Sequence, residues 1–277
     1  MALTRNNFIM YRAPIQTIGG VNDETAAAGI LSKYDFVVVI PHLLTDLPKL
    51  REVLQAYKVM NPRGKVFGYT DLGGAASVGA WQAQADQWVT DVVPTSTTTA
   101  SVQPLLAGLF IDNFGSEQAM ATRVNQNTAV DYAHGLDWSV MVNPLKVFDA
   151  FDLIAGDAPA TFGKTPALRD YVLLDNFYFI NAAGTTLVAE TAAHREGRLD
   201  YAKDVAATQA LGTPAAYNIG FIAQVGAGDQ LAMLEADWLL ALGLANSYRM
   251  EGFGVAPFDR GTTSNRFFMK FTGNLYE

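Results

Sequence analysis

The chain has 277 residues, half of them hydrophobic, which suffices for one full core at about the usual size of an α/β-barrel domain. Its net charge is −8, with no Lys/Arg cluster, so a nucleic-acid backbone is not expected as a partner. It has no cysteine, which excludes disulfides, thiolate metal sites and cysteine nucleophiles.

The first predicted strand, 8–11, ends at Arg12. A short helix is predicted over 23–31. The second strand, 36–40, ends at Pro41 and His42. The next helix, 47–57, places Leu50, Val53, Leu54 and Tyr57 on one face. Turn residues at 61–64 lead to the third strand, 66–69, which ends at Thr70 and Asp71. The helix over 81–93 carries a stripe of Trp81, Ala85, Trp88 and Val92, read as packing against a sheet rather than as a ligand platform. A polar linker, 94–101, precedes the fourth strand, 109–111, which ends at Asp112 and Asn113. A weaker helix, 118–132, leads to the fifth strand, 140–142, which ends at Asn143. The stretch 144–170 holds a helix or strand fragment and a turn. The sixth strand, 172–174, ends at Asp175 and Asn176. A long helix over 190–211 precedes the seventh strand, 219–223, ending at Gln224. A helix over 229–244 precedes the eighth, 247–250, ending at Glu251. The tail, 255–277, has no helical period.

Short runs rich in Val, Ile and Phe read as strands buried on both faces. Eight of them, separated by helix-length segments, predict an α/β fold: a single (β/α)8 TIM barrel spanning 1–277. The polar residue after each run then stands at the carboxyl-end mouth.

Among those residues the carboxylates carry the chemistry. Asp112, directly after Gly-Leu-Phe-Ile, and Asp175, two strands later, are the candidate catalytic pair, with Glu251 as a further catalytic candidate. Two carboxyl groups across one cleft are the minimum for glycoside hydrolysis: one protonates the leaving oxygen and the other attacks the sugar or activates water. The alternative for Asp112 is a helix cap or a bond to a neighbouring loop. Asp71 and Glu251 can equally pair with Arg12 or Arg249. Asn113, Asn143, Asn176 and Gln224 suit hydrogen bonding to sugar hydroxyls, or equally to loop backbone. Arg12 and Asp71 complete the polar substrate-binding candidates. Tyr69 and Tyr178 offer flat faces for a sugar ring, with the core as the alternative for neighbouring Phe177 and Phe179.

His42, His134 and His194 show no metal-ligand spacing, and neither a metal nor another cofactor is expected. Gly226-Ala227-Gly228 lacks a basic partner and reads as a turn rather than a phosphate loop. No nucleophile elbow, Walker motif or dinucleotide fingerprint is present. The first residues lack the apolar core of a secretory signal, and no stretch is long and uncharged enough to span a bilayer. The expectation is a soluble protein, cytoplasmic or virion-associated, without a membrane partner.

Val-Phe-Gly-Tyr-Thr-Asp-Leu-Gly at 66–73, the helix with Trp88, and Ala-Gly-Leu-Phe-Ile-Asp at 107–112 together resemble the spherulation-specific family 4 proteins. These are similar in turn to endo-alpha-1,4-polygalactosaminidase-like glycoside hydrolases. Val-Asn-Pro at 142–144 and Val-Leu-Leu-Asp-Asn-Phe-Tyr at 172–178 resemble further strands of that family. The resemblance covers roughly half the chain and implies the barrel, a polysaccharide or oligosaccharide partner and the strand-end acids. Two positions depart from it: the acid expected after Asp112 is Asn113, and the expected sixth-strand glutamate is Asp175, one methylene shorter. A wider carboxylate gap favours an inverting geometry, or none. The sequence therefore leaves two functions open: a glycoside hydrolase, or a non-catalytic structural or receptor-binding part of a phage tail that contacts other virion subunits. A lyase or aldolase is disfavoured, since no Lys stands at a predicted strand's carboxyl end.

Overall fold

A computed structural model describes residues 6–11, 23–39, 47–89, 105–144, 147–151, 158–180, 187–188, 218–227, 243 and 250–256. The strands are β1 (Asn6–Tyr11), β2 (Phe36–Val39), β3 (Lys65–Asp71), β4 (Gly108–Asp112), β5 (Ser139–Val142), β6 (Asp170–Ile180), β7 (Leu187–Val188), β8 (Ile219–Ala227) and β9 (Gly252–Ala256). The helices are α1 (Glu24–Leu31), α2 (Leu47–Met60), α3 (Val78–Val89) and α4 (Arg123–His134), with a 3-10 helix at Val147–Ala150.

The parallel pairings run in order from β1 through β2, β3, β4, β5, β6, β8 and β9, and β9 pairs again with β1. The result is an α/β fold in which parallel strands wrap into a TIM-like barrel. Among the described residues only β7 runs antiparallel, as a short partner to the far end of β6.

Side chains of the strands divide into two cores. Phe36, Val38, Phe67, Phe110, Met141, Tyr171, Leu173 and Ile222 form one cluster, the barrel interior. The alternate residues, such as Val37, Val66, Leu109, Val140 and Val172, join the larger cluster beneath the helices. Period-two alternation with both faces buried explains why these strands read as unbroken apolar runs.

The helices dock through the faces visible in their sequences. Leu50, Val53, Leu54 and Tyr57 of α2 are buried, as are Trp81, Ala85 and Trp88 of α3. Each of the buried Leu and Val side chains contributes roughly 1.5–3 kcal/mol. Trp88 lies directly on β3 because Gly68 has no side chain there: a Cβ would come within 2.5 Å of the indole. The indole N–H donates to the Tyr69 carbonyl at 3.0 Å. Asp23 caps α1 by accepting from the Thr25 and Ala26 amides at 2.8 and 3.0 Å. Ser77 does the same for α3 through the Ala80 amide at 3.1 Å, and Thr122 caps α4. Capping at Thr122 starts α4 five residues later than the expected 118, and the chain before it forms turns.

The largest departures from the predicted strand ends are in β6, β8 and β9. Strand β6 does not stop at Asp175. It continues through Asn176, Phe177, Tyr178 and Phe179 to Ile180, and Phe179 and Ile180 pair with both β8 and β7. Strand β8 likewise passes Gln224 and runs to Ala227. Of the expected last strand, 247–250, residues 247–249 lie outside the described residues and Met250 is not in a strand; the described strand β9 begins at Gly252, level with Ile222 and Asn6. Glycines lower strand propensity and hid this strand in the sequence. The expected helices at 190–211 and 229–244, the linker 94–101 and the greater part of the tail lie outside the described residues, apart from Gly243. Among the described residues, no helix is long and apolar enough to cross a membrane.

Candidate functional site at the carboxyl ends of β3, β4 and β5

On β3 the inward alternation is Lys65, Phe67, Tyr69, Asp71, and on β4 it is Gly108, Phe110, Asp112. Tyr69 pairs with Phe110 in strand register, and Asp71 with Asp112, so both aspartates close their strands at one level. The β4–β5 register, Ile111 with Val142, brings Asn143 beside Asp112.

Asp112 is the centre of this group. Its Oδ2 accepts from the Tyr69 hydroxyl at 2.8 Å. Its Oδ1 accepts from Asn143 Nδ2 at 2.8 Å and from the Asn113 amide at 3.0 Å. The side chain is half-buried. Tyr69 stacks on Phe110, with ring centroids 5.6 Å apart and planes at 26°. The ring therefore covers the top of the barrel interior while its hydroxyl reaches the carboxylate. Asn143 is fixed through its backbone: its amide donates to the Ile111 carbonyl at 3.0 Å, and its carbonyl accepts from Phe114 at 3.2 Å.

Asp71 is more occupied with its own loop. Its Oδ1 accepts from the Gly74 amide at 2.7 Å and from Asn113 Nδ2 at 2.9 Å. Its own amide donates to Gln84 Oε1 of α3 at 3.0 Å. Asn113 thus links the two acids, one through its amide and the other through its side chain. It does so at φ 51°, a left-handed conformation that Asn tolerates better than most residues.

The other expected site residues are placed differently. Asp175 lies inside β6, in register with Gln224 of β8. Continuing the β5–β6 register from Val142–Val172 sets Leu173 level with Asn143, so Asp175 is two residues further along its strand. Asn176 and Tyr178 fall in a register irregularity between Asp175 and Phe179. Such bulges bend a strand and redirect its residues. Arg12, Arg249, His42 and His194 lie outside the described residues.

Glu251 is at the opposite end of the barrel. It precedes β9, whereas the sequence reading put it after the last strand. Its Oε2 accepts from Arg169 Nε at 2.7 Å and lies 2.6 Å from Arg169 Nη2. Arg169 itself precedes β6 and also donates to Asn218 Oδ1 at 3.0 Å. Beside this pair the Lys65 ammonium bonds the Tyr171 hydroxyl and sits 4.7 Å from the centre of that ring. Burial is the main cause of a lowered Lys65 pKa; Glu251 opposes the shift and Arg169 adds to it. Burial also raises Tyr171, with Glu251 adding to the effect. The sequence analysis passed over Lys65 and Tyr171. The signal was the strict alternation Lys65-x-Phe67-x-Tyr69-x-Asp71, which puts all four on one face.

His134 is engaged away from the rim. Its Nε2 lies 3.0 and 3.1 Å from the Asp170 oxygens, and its Nδ1 lies 2.9 Å from Thr165 Oγ1. Asp170 is fully buried and also accepts from the Val140 and Gly163 amides at 3.0 and 2.8 Å. Among the described residues, no group of three or more His, Cys, Asp or Glu gathers as metal ligands would. Chemically, the rim of β3–β5 presents one carboxylate held by neutral donors, with a second acid one strand away.

No protein-family model matches the chain, and no curated protein matches it in sequence.

Proposed function

We propose that the chain is a single-domain (β/α)8 barrel that binds a polysaccharide or oligosaccharide at its carboxyl-end mouth and hydrolyses a glycosidic bond. The observation that carries this reading is the cluster Tyr69–Asp112–Asn143, with Asp71 level with Asp112 on the next strand. In TIM barrels the loops at this face hold the reacting groups. The resemblance to spherulation-specific family 4 proteins and polygalactosaminidase-like hydrolases, built on these same strand ends, points the same way. In the reaction, an acid donates its proton to the glycosidic oxygen as the C–O bond breaks. A carboxylate either takes a proton from the water that attacks the sugar carbon, or attacks that carbon itself before water releases the sugar. Asp112 takes the carboxylate role, and Asp175 supplies the acid.

A second reading is a degenerate barrel that serves as a structural or receptor-binding part of a virion. It is favoured by the engagement of Asp71 with Gly74 and Asn113, a loop-tying use of that acid. Reducing-end release from galactosaminoglycan, galactan and capsular polysaccharides separates the two. Activity in the wild type that disappears in Asp112→Asn supports the hydrolase. Inactivity across the panel, with the protein found in assembled particles, supports the structural role.

A further inference from the structure

Tyr69 and Asn143, expected to contact substrate, each donate a hydrogen bond to Asp112. Three donors converge on that carboxylate: a phenol, a carboxamide and a backbone amide. A carboxylate accepting two or three such bonds is favoured in its charged form, and the same bonds oppose protonation. The donors come from three sources, β3, the residue after β5 and the residue after β4, and the bonds from Tyr69 and Asn143 follow from the registers of β3–β4 and β4–β5. Tyr69 is further held by its stack on Phe110, and Asn143 by two backbone bonds.

We propose that Tyr69 and Asn143 are positioning residues that hold Asp112 ionised, which makes it the base or nucleophile and leaves proton donation to a different carboxyl group. This rests on the hydrolase reading for its consequence in catalysis, but not for the state of Asp112. Among the described residues, the titratable groups beside Asp112 are Tyr69 and Asp71, both from β3. After β5 comes the neutral Asn143, and after β4 the neutral Asn113. The nearby Asp149 of the 3-10 helix accepts from the Ser116 amide and hydroxyl, both at 2.9 Å.

The test is the titration of the Asp112 carboxyl carbon by NMR, in the wild-type chain, Tyr69→Phe and Asn143→Ala, with near-ultraviolet circular dichroism confirming the fold. Loss of either donor is expected to raise the Asp112 midpoint by about one unit, the equivalent of one hydrogen bond to a charged group. In parallel, the acidic limb of kcat/KM moves to higher pH with KM little changed. An unchanged midpoint in a folded variant overturns the proposal, even if the enzyme is active. A raised midpoint in a protein inactive on every glycan upholds the positioning role and overturns the hydrolase instead. Should Tyr69→Phe fail to fold, Asn143→Ala alone decides the matter.

Discussion

The two ends of the barrel handle their acids in opposite ways. At the amino end, Glu251 meets the Arg169 guanidinium, and Asp170 meets His134. At the carboxyl end, the partners described for Asp112 are a phenol, a carboxamide and a backbone amide, and those of Asp71 are a carboxamide and a backbone amide. The Arg169 guanidinium balances the charge of Glu251, and His134 hydrogen-bonds Asp170; both contacts tie elements together. Neutral donors orient an acid without cancelling its charge themselves. The contrast explains why acids at both ends of one sheet carry different expectations, with Glu251 paired to Arg169 at the amino end.

The strongest way to break this comparison is at the rim. Asp112→Asn keeps shape and removes charge, so turnover should fall by a factor of about 10²–10⁴. Its urea midpoint should stay close to wild type. Glu251→Gln should leave turnover on the same glycan unchanged; a comparable loss there would erase the distinction between the ends.

Asp170→Ala should have the reverse profile. It strands two backbone amides and His134 in a buried position, and chemical denaturation should show a loss of about 3–5 kcal/mol. Gly68→Ala tests the sheet between the two ends. The added methyl meets Trp88 and should cost about 1–3 kcal/mol through displacement of α3, visible as a shift in tryptophan fluorescence.

The amino end also carries the alkaline response. Burial raises the phenols of Tyr57 and Tyr171 above their ordinary 10.0. A phenol that stays protonated in the fold but ionises on unfolding favours the unfolded chain above that pH, so stability should fall as pH rises beyond about 10. Lys65, lowered by burial, acts with the opposite sign: stability gains as pH climbs from its folded value towards 10.5. Tyr171→Phe should therefore flatten the alkaline loss in a pH series of thermal melts. The smallest effect belongs to Arg169→Ala. That side chain is 43% exposed and its partner Glu251 25%, so the change should stay within about 1 kcal/mol.

Much of the architecture was legible because it is written in local periodicity. The α2 and α3 faces repeat at helical spacing, and all the residues that define them within the described chain are buried. The apolar runs of β2, β3, β4 and β5 mark strands whose two faces are both covered. The ends of β6, β8 and β9 were not legible. A strand stops where its neighbours stop offering hydrogen bonds, and β6 runs to Ile180 because β8 and β7 pair with it there. For the same reason the sequence could not say on which side of the last strand Glu251 would fall.

The site shows the same division. Asp112, Asn143 and Tyr69 stand out individually as polar or aromatic residues at the ends of apolar runs, and that much is a property of the sequence alone. That all three meet is a property of the registers Tyr69–Phe110 and Ile111–Val142, which no local pattern encodes. Sequence determines which residues alternate onto the inner face, because the period of a strand is two. Only the pairing of strands decides which inner residues share a level, and so turns separate acids and donors into one site.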